Sequence, residues 1–261
     1  MFKRKFANLV KKIYPRYGLK DDDVILASYP KSGNTWFRFI WLNIVSLKEM
    51  DEEEIDFDKI NGPLHAEYDS HSYGHCDYES LPRIVKTHKM YCDAFRDTKT
   101  IVIIRHPGDV MISYFEYMKA KHKGSGATED ISSFIKSSEY GIKKWCLHVN
   151  SWLNKADTIV RYESMKKNTA NEVIKVLNKL NLKNKLEDEL IKRAVERSSF
   201  NNMRKIEDRK GIDVMKGSFK NDYKFIRKGK TGEWRDSLKK SDIDFIRESL
   251  RKSNLLSTYE V

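Results

Sequence analysis

The chain has 261 residues, with 50 Lys and Arg against 38 Asp and Glu and a net charge of +12. It is long enough for a large buried core and electrostatically suited to a polyanionic partner such as a nucleotide, a nucleic acid or a membrane surface. Three widely spaced cysteines, Cys76, Cys92 and Cys146, form no C-x-x-C pair, which speaks against a zinc or dithiol site and fits a reducing cytoplasm. The most apolar segment, Trp36 to Leu47, is too short to span a bilayer and contains Arg38, so no integral membrane association is expected.

Residues 1–20 form a basic N-terminal extension that is amphipathic, lacks the apolar run and cleavage site of a secretory signal, and suits contact with anionic lipid. Val24–Tyr29 is the first of four short apolar runs read as buried strands; the others are Ile84–Thr87, Thr100–Ile104 and Thr158–Tyr162. Asn34–Ser46 is apolar round most of its circumference, the mark of a helix packed deep against a sheet. Pro107 opens a helix striped by Val110, Met111, Tyr114, Phe115 and Met118. Trp145, Val149, Trp152 and Leu153 mark another helix, and Val173, Ile174, Leu177 and Leu180 a third; these stripes read as core. Strands alternating with helices predict an α/β fold in one domain, 1–261, with a central parallel sheet covered on both faces. Lys48–Leu81, Lys121–Ser138 and Lys205–Lys224 break the rhythm and are read as irregular segments, either lids and acceptor walls beyond the strand ends or surface loops.

The sharpest motif is Ser28-Tyr29-Pro30-Lys31-Ser32-Gly33-Asn34-Thr35-Trp36, where the first strand gives way to the first helix. A small-residue turn at a helix start presents open N–H groups and the positive dipole end to a phosphate or sulfate. Lys31 adds charge, and Ser32 and Thr35 add hydroxyl donors. In a P-loop the lysine follows the second glycine; here it precedes the only one, so a magnesium-dependent nucleotide kinase is disfavoured. An ordinary helix cap accounts for Ser32 and Asn34 but leaves Lys31 and Trp36 without a reason. A second motif, Arg105-His106-Pro107-Gly108-Asp109-Val110-Met111-Ile112-Ser113, runs from a strand end into a helix and lets Arg105 and Ser113 grip one anion. A third, Arg227-Lys228-Gly229-Lys230-Thr231-Gly232-Glu233-Trp234, sets two glycines among cations, as backbone wrapping closely round a polyanion requires. Taken alone, it reads equally well as a solvated basic loop.

Together these pieces resemble the PAPS-dependent sulfotransferases, the soluble cytosolic ones in particular, PAPS being 3′-phosphoadenosine 5′-phosphosulfate. Tyr29–Trp36 matches the family's Y-P-K-S-G-T-T-W loop except at Asn34. Arg105 and Ser113 match its Arg followed eight residues later by Ser, and Arg227–Trp234 its R-K-G-x-x-G-[DE]-W segment. Lys86-Thr87-His88 resembles its K-T-H strand end, Arg161–Met165 its Y-E-D-M stretch, and Ser198-Ser199-Phe200 its T-S-F stretch. These matches run in order from about residue 24 to 236.

The resemblance implies a sulfotransferase that moves a sulfuryl group from PAPS to a hydroxyl, or less readily an amine, of a small-molecule acceptor and releases PAP, 3′-phosphoadenosine 5′-phosphate. It implies His88 as general base, Lys31 at the bridging oxygen of the leaving phosphate and Lys86 at the sulfuryl oxygens. Ser32, Gly33, Asn34 and Thr35 complete the phosphosulfate cradle, where Asn34 is expected to donate in place of the family's threonine. Arg105, Ser113, Arg227, Lys228 and Gly229 are expected on the 3′-phosphate. Trp36, Tyr162 and Phe200, with Ser199 beside it, are expected to enclose the adenine. Cations and amides can supply the charge stabilisation this transfer needs, so no metal is expected.

The family's dimerisation motif is replaced after Trp234 by Arg235-Asp236-Ser237-Leu238-Lys239-Lys240, which leaves the oligomeric state open. His65, His71, His75, Cys76 and Asp77 are metal-capable, but no helix or H-E-x-x-H frame surrounds them, so they are assigned to the acceptor pocket. A basic nucleic-acid-binding protein is the remaining alternative; it would cluster its cations on a recognition helix or strand, whereas here they sit at turns.

Overall fold

In the structure, a computed structural model that describes residues 18–70, 72–73, 78–121, 130–212, 219 and 223–259, the apolar runs become the strands of one mixed sheet. In chain order the strands are β1 (Val24–Ser28), β2 (Ala66–Glu67), β3 (Ser72–Tyr73), β4 (Ile84–Thr87), β5 (Lys99–Ile104) and β6 (Thr158–Arg161), arranged β3-β2-β4-β1-β5-β6. All neighbours are parallel except the β2–β3 pair. β1 lies between β4 and β5, with Leu26 level with Lys86 on one side and Ile101 on the other. The chain therefore serves both sides of β1 in turn, which opens a crevice at its carboxyl end.

Along β1, Ile25 and Ala27 enter one core and Val24 and Leu26 the other, so the period of two survives although these four positions are all apolar. The first face is covered by α3 (Pro107–Ala120), α4 (Ile131–Lys136), α5 (Ile142–Leu153) and α11 (Lys240–Lys252), through Met111, Phe134, Trp145, Trp152 and Leu250. The second is covered by α1 (Asn34–Glu49), α7 (Thr169–Lys179) and α8 (Asp188–Arg197), through Phe37, Trp41, Val173, Leu177 and Ile191. Burying side chains of this size contributes roughly 1.5–3 kcal/mol each. The all-round apolarity of α1 has a separate cause. Its Phe39 and Leu42 pack away from the sheet on Phe57 and Ile60 of α2 (Phe57–Asn61) and Met203 of α9 (Phe200–Lys210).

All three expected irregular segments are partly regular, Lys121–Ser138 through α4. The stretch Lys48–Leu81 contributes α2, β2 and β3, and strands of two residues carry no periodicity from which to read them. Lys205–Lys210 is the end of α9, whose buried Met203 and Ile206 sit one turn apart on an otherwise polar helix. Tyr162, expected to end a strand, instead opens α6 (Tyr162–Lys167). The N-terminal extension up to residue 17 lies outside the described residues, as do His71, His75, Cys76 and Asp77. Among the described residues no helix is long and apolar enough to cross a membrane.

Candidate active site

Beyond Ser28 the chain turns sharply, with Lys31 at φ 67° and Gly33 at φ 107°, both left-handed. A Cβ at Gly33 would come within 2.7 Å of the Tyr162 ring, so only glycine fits that place. Gly33 precedes α1, and no side chain caps the helix, which leaves its first amides and its positive dipole end to an anion. Ser32 is fully buried and its Oγ has no hydrogen-bond partner. The Asn34 carboxamide corrects one expectation: its Nδ2 donates backwards to Leu26 O at 3.3 Å and Ser28 Oγ at 3.2 Å. Asn34 thus staples the loop to β1, and its backbone N–H, not its side chain, is what it offers an anion.

A cavity of about 600 Å³ opens at this carboxyl edge. It brings together Lys31, Gly33, Asn34, Thr35, Trp36, Lys86, His88, Arg105, Ser113, Tyr162, Phe200, Arg227, Lys228 and Gly229. Ser32 lies beneath the wall. Ser199 is not in it; its Oγ caps α9 by accepting from Asn202 N. Trp36 and Tyr162 meet edge to face at 5.6 Å, and Trp36 Nε1 is fixed by Ser198 O at 2.9 Å. Gly229, at φ 59°, lies against Phe200 so closely that a Cβ there would approach its ring to 2.6 Å.

Arg105 lies over the Tyr162 ring at 4.4 Å and donates to Lys31 O at 3.2 Å and Lys230 O at 2.9 Å, while its buried Nε has no partner. It thereby joins segments more than a hundred residues apart. Asp109 strengthens that join: its buried carboxylate accepts from Gly232 N at 2.8 Å and Trp234 N at 3.1 Å. Arg227 and Lys228 both pair with Glu233, at 2.7 and 2.6 Å. These two ion pairs hold its carboxyl low, at about 2, the Arg227 hydrogen bond being the largest influence.

On the other side of the loop stands His88. The Ser28 carbonyl can only accept, so the 2.8 Å contact with Nδ1 assigns the proton to Nδ1 and leaves the lone pair on Nε2. Burial, reinforced by the Lys86 charge, pushes His88 down to about 3. Lys86, two residues earlier on the same side of β4, is bonded at 2.8 Å to Glu67. The Lys31 ammonium lies 4.1 Å from the Phe225 ring centre and 4.7 Å from that of Tyr117, and burial followed by the Arg105 and Arg227 charges lowers it to about 7.

Several functional groups escaped sequence reasoning. Asp109 and Glu233 stood inside quoted motifs, where a carboxylate among cations was itself a signal. Glu67 and Asp69 lay in Lys48–Leu81, which was read only as an irregular segment.

Comparison with known proteins decides what this cavity belongs to. The sulfotransferase domain matches residues 21–256. The chain belongs to this family. Relatives include human sulfotransferase 1E1, 29% identical over 233 residues that cover 83% of this chain and 78% of that protein. A rabbit (Oryctolagus cuniculus) amine sulfotransferase is 26% identical over 234 residues, covering 84% and 76%. In fold, the chain resembles retinol dehydratase in complex with retinol and PAP, with a TM-score of 0.67 at 21% identity over 99% of this chain and 87% of that one. It also resembles mouse sulfotransferase SULT7A1 complexed with PAP, with a TM-score of 0.65 at 21% identity over 93% and 90%. The protein is a PAPS-dependent sulfotransferase, which decides against the kinase and nucleic-acid-binding alternatives. The residues present suit PAPS. An uncapped helix start, the unpartnered Ser32 Oγ and Arg105 Nε, and the clustered Lys31, Arg105, Arg227 and Lys228 all await anionic oxygens.

Proposed function

We propose that this sulfotransferase is a single-domain cytoplasmic enzyme that sulfates a hydroxyl of a small acceptor, with His88 as general base. The observation that carries this reading is the His88 ring, whose Nδ1–H is committed to Ser28 O and whose Nε2 lone pair is left for the acceptor's proton. PAPS supplies the activated sulfuryl group and a phosphate leaving group that gains charge as the bond breaks. His88 takes the proton, Lys86 faces the sulfuryl oxygens and Lys31 the leaving phosphate, so the base acts on the attacking oxygen and the Lys31 cation on the departing one. Arg105, Ser113, Arg227, Lys228 and the Gly229 amide bind the 3′-phosphate, and Trp36, Tyr162 and Phe200 enclose the adenine.

An acceptor screen with sulfur-labelled PAPS, read by mass spectrometry, tests the reading; 4-nitrophenol and 4-ethylphenol serve as its simplest members. His88→Ala is expected to lose on the order of 10²-fold in kcat while holding PAP with near-normal affinity. A variant that keeps most of its turnover would remove His88 from the role of base.

A further inference from the structure

We propose that Asp69 and Glu67 are positioning residues for sulfuryl transfer, a carboxylate clamp that holds the Lys86-Thr87-His88 strand end in its working geometry. The inference rests on the reading of His88 and Lys86 given above. β2 adds to the sheet beside β4 with Glu67 level with Lys86. That register sets two carboxylates, two residues apart, against the end of β4. Glu67 Oε1 bonds Lys86 Nζ at 2.8 Å, and its Oε2 accepts from Ser70 Oγ at 2.7 Å. Asp69 Oδ1 accepts from Thr87 Oγ1 at 2.6 Å, and Oδ2 from the His88 backbone N–H at 2.8 Å. Thr87 Oγ1 in turn accepts from Lys89 N at 3.1 Å. The histidine is consequently held at two points, its ring by Ser28 O and its backbone by Asp69.

A strand end is where such a clamp is needed. Past Thr87 the ladder with β1 stops, and the His88 N–H would otherwise have no partner inside the fold. Charge-assisted bonds to a carboxylate are short and directional, so they fix the residue whose ring must reach the acceptor's proton. Glu67 also lines the cavity and invites a rival role as a base. Its hydrogen bonds from His65, Lys86 and Ser70 hold its carboxyl far below the ordinary carboxylate range despite burial. Its Oε1 is taken by Lys86 and its Oε2 by Ser70 and His65, so neither oxygen is left for an acceptor's proton and the orienting of Lys86 is its function.

The test uses the full chain with PAPS and the two phenols, which are of similar size while only 4-nitrophenol ionises near neutral pH. Asp69→Ala is expected to lower kcat at least tenfold with 4-ethylphenol and clearly less with 4-nitrophenol, because a displaced base matters most where the acceptor must be deprotonated. PAP affinity should stay within twofold, and Asp69→Asn, whose side-chain oxygen still accepts from His88 N–H, should recover much of the rate. In a His88→Ala background Asp69→Ala should add less than twofold, since both act through one group. Glu67→Gln should behave in the same way toward Lys86→Met. Should Asp69→Ala lose PAP binding, Thr87→Val, which removes only one hydroxyl bonded to Asp69, carries the same acceptor-dependent expectation at smaller size. Equal losses for both phenols, full additivity with His88→Ala, or an unchanged rate would overturn the inference. A wild-type protein that binds PAP but sulfates neither phenol nor any other acceptor would overturn the assignment of His88 first, and this inference with it.

Discussion

Lys31 carries its ammonium where charge is disfavoured, and that bears on when the enzyme works. In the free protein burial and the neighbouring guanidinium groups of Arg105 and Arg227 bring it to about 7. A bound polyanion favours the charged form and raises it. Nucleotide binding is therefore expected to take up a fraction of a proton near pH 7.5, and PAP affinity to fall as pH rises above 7. Calorimetric titration in two buffers of different ionisation enthalpy measures that uptake; none detected would mean Lys31 is already charged. His88 gives the complementary expectation. It stays neutral down to about 3, so kcat/KM for PAPS should show no acid limb near 6.5 but should decline above about 7, where the free enzyme's Lys31 loses its proton. An acid limb near 6.5 would place His88 in water and not in the wall of the cavity.

At the scale of elements, α3 does more than carry Ser113 to the cavity. Asp109, in its first turn, takes two amides of the segment that ends in α10 (Trp234–Ser237), and His106 stacks on Trp234 with ring centres 4.5 Å apart. Asp109→Ala leaves one buried and one half-buried N–H group unpaired, the buried one costing roughly 1–3 kcal/mol. The expected result is a lower Tm together with PAP affinity weakened at least tenfold, read by calorimetry, while Asp109→Asn, which keeps one acceptor, falls between. If Tm drops and PAP binds as before, the two segments converge without this clamp. The motif R-H-P-G-D held Asp109 in plain view, yet only three-dimensional proximity gives its carboxylate a purpose. β2 was invisible for a different reason: Ala66 and Glu67 are too few for alternation, and their strand character comes from pairing with β3 and β4. The runs at β1 and β5 were legible because strands buried on both faces are almost wholly apolar, and those at β4 and β6 because of their β-branched residues.

For the whole molecule, the candidate site was legible as motifs but not as a charge balance. Lys31, Arg105 and Arg227 stood out in sequence as cations. The carboxylates that neutralise or orient the cavity's cations did not stand out, Glu67 lying in a segment read as irregular and Glu233 inside a motif, because pairing is a property of folded geometry. That balance shapes a last prediction. The groups proposed to hold PAP come from the loop before α1, α1 itself, the end of β5, α3, α6, α9 and the turn before α10, so one ligand ties together both faces of the sheet. At a hundredfold excess over its dissociation constant a ligand that binds only the folded state adds about 2.7 kcal/mol, and at this chain length that corresponds to roughly 5–10 °C in Tm. PAP should therefore raise Tm by several degrees at concentrations where adenosine 5′-phosphate, which leaves Arg105, Arg227 and Lys228 without a 3′-phosphate, raises it little. Arg227→Ala should erase most of the difference between the two nucleotides, since it removes a cation from the 3′ side and leaves Glu233 paired with Lys228 alone. Equal shifts for both nucleotides in the wild type, or a difference that survives Arg227→Ala, would move the 3′-phosphate away from this turn.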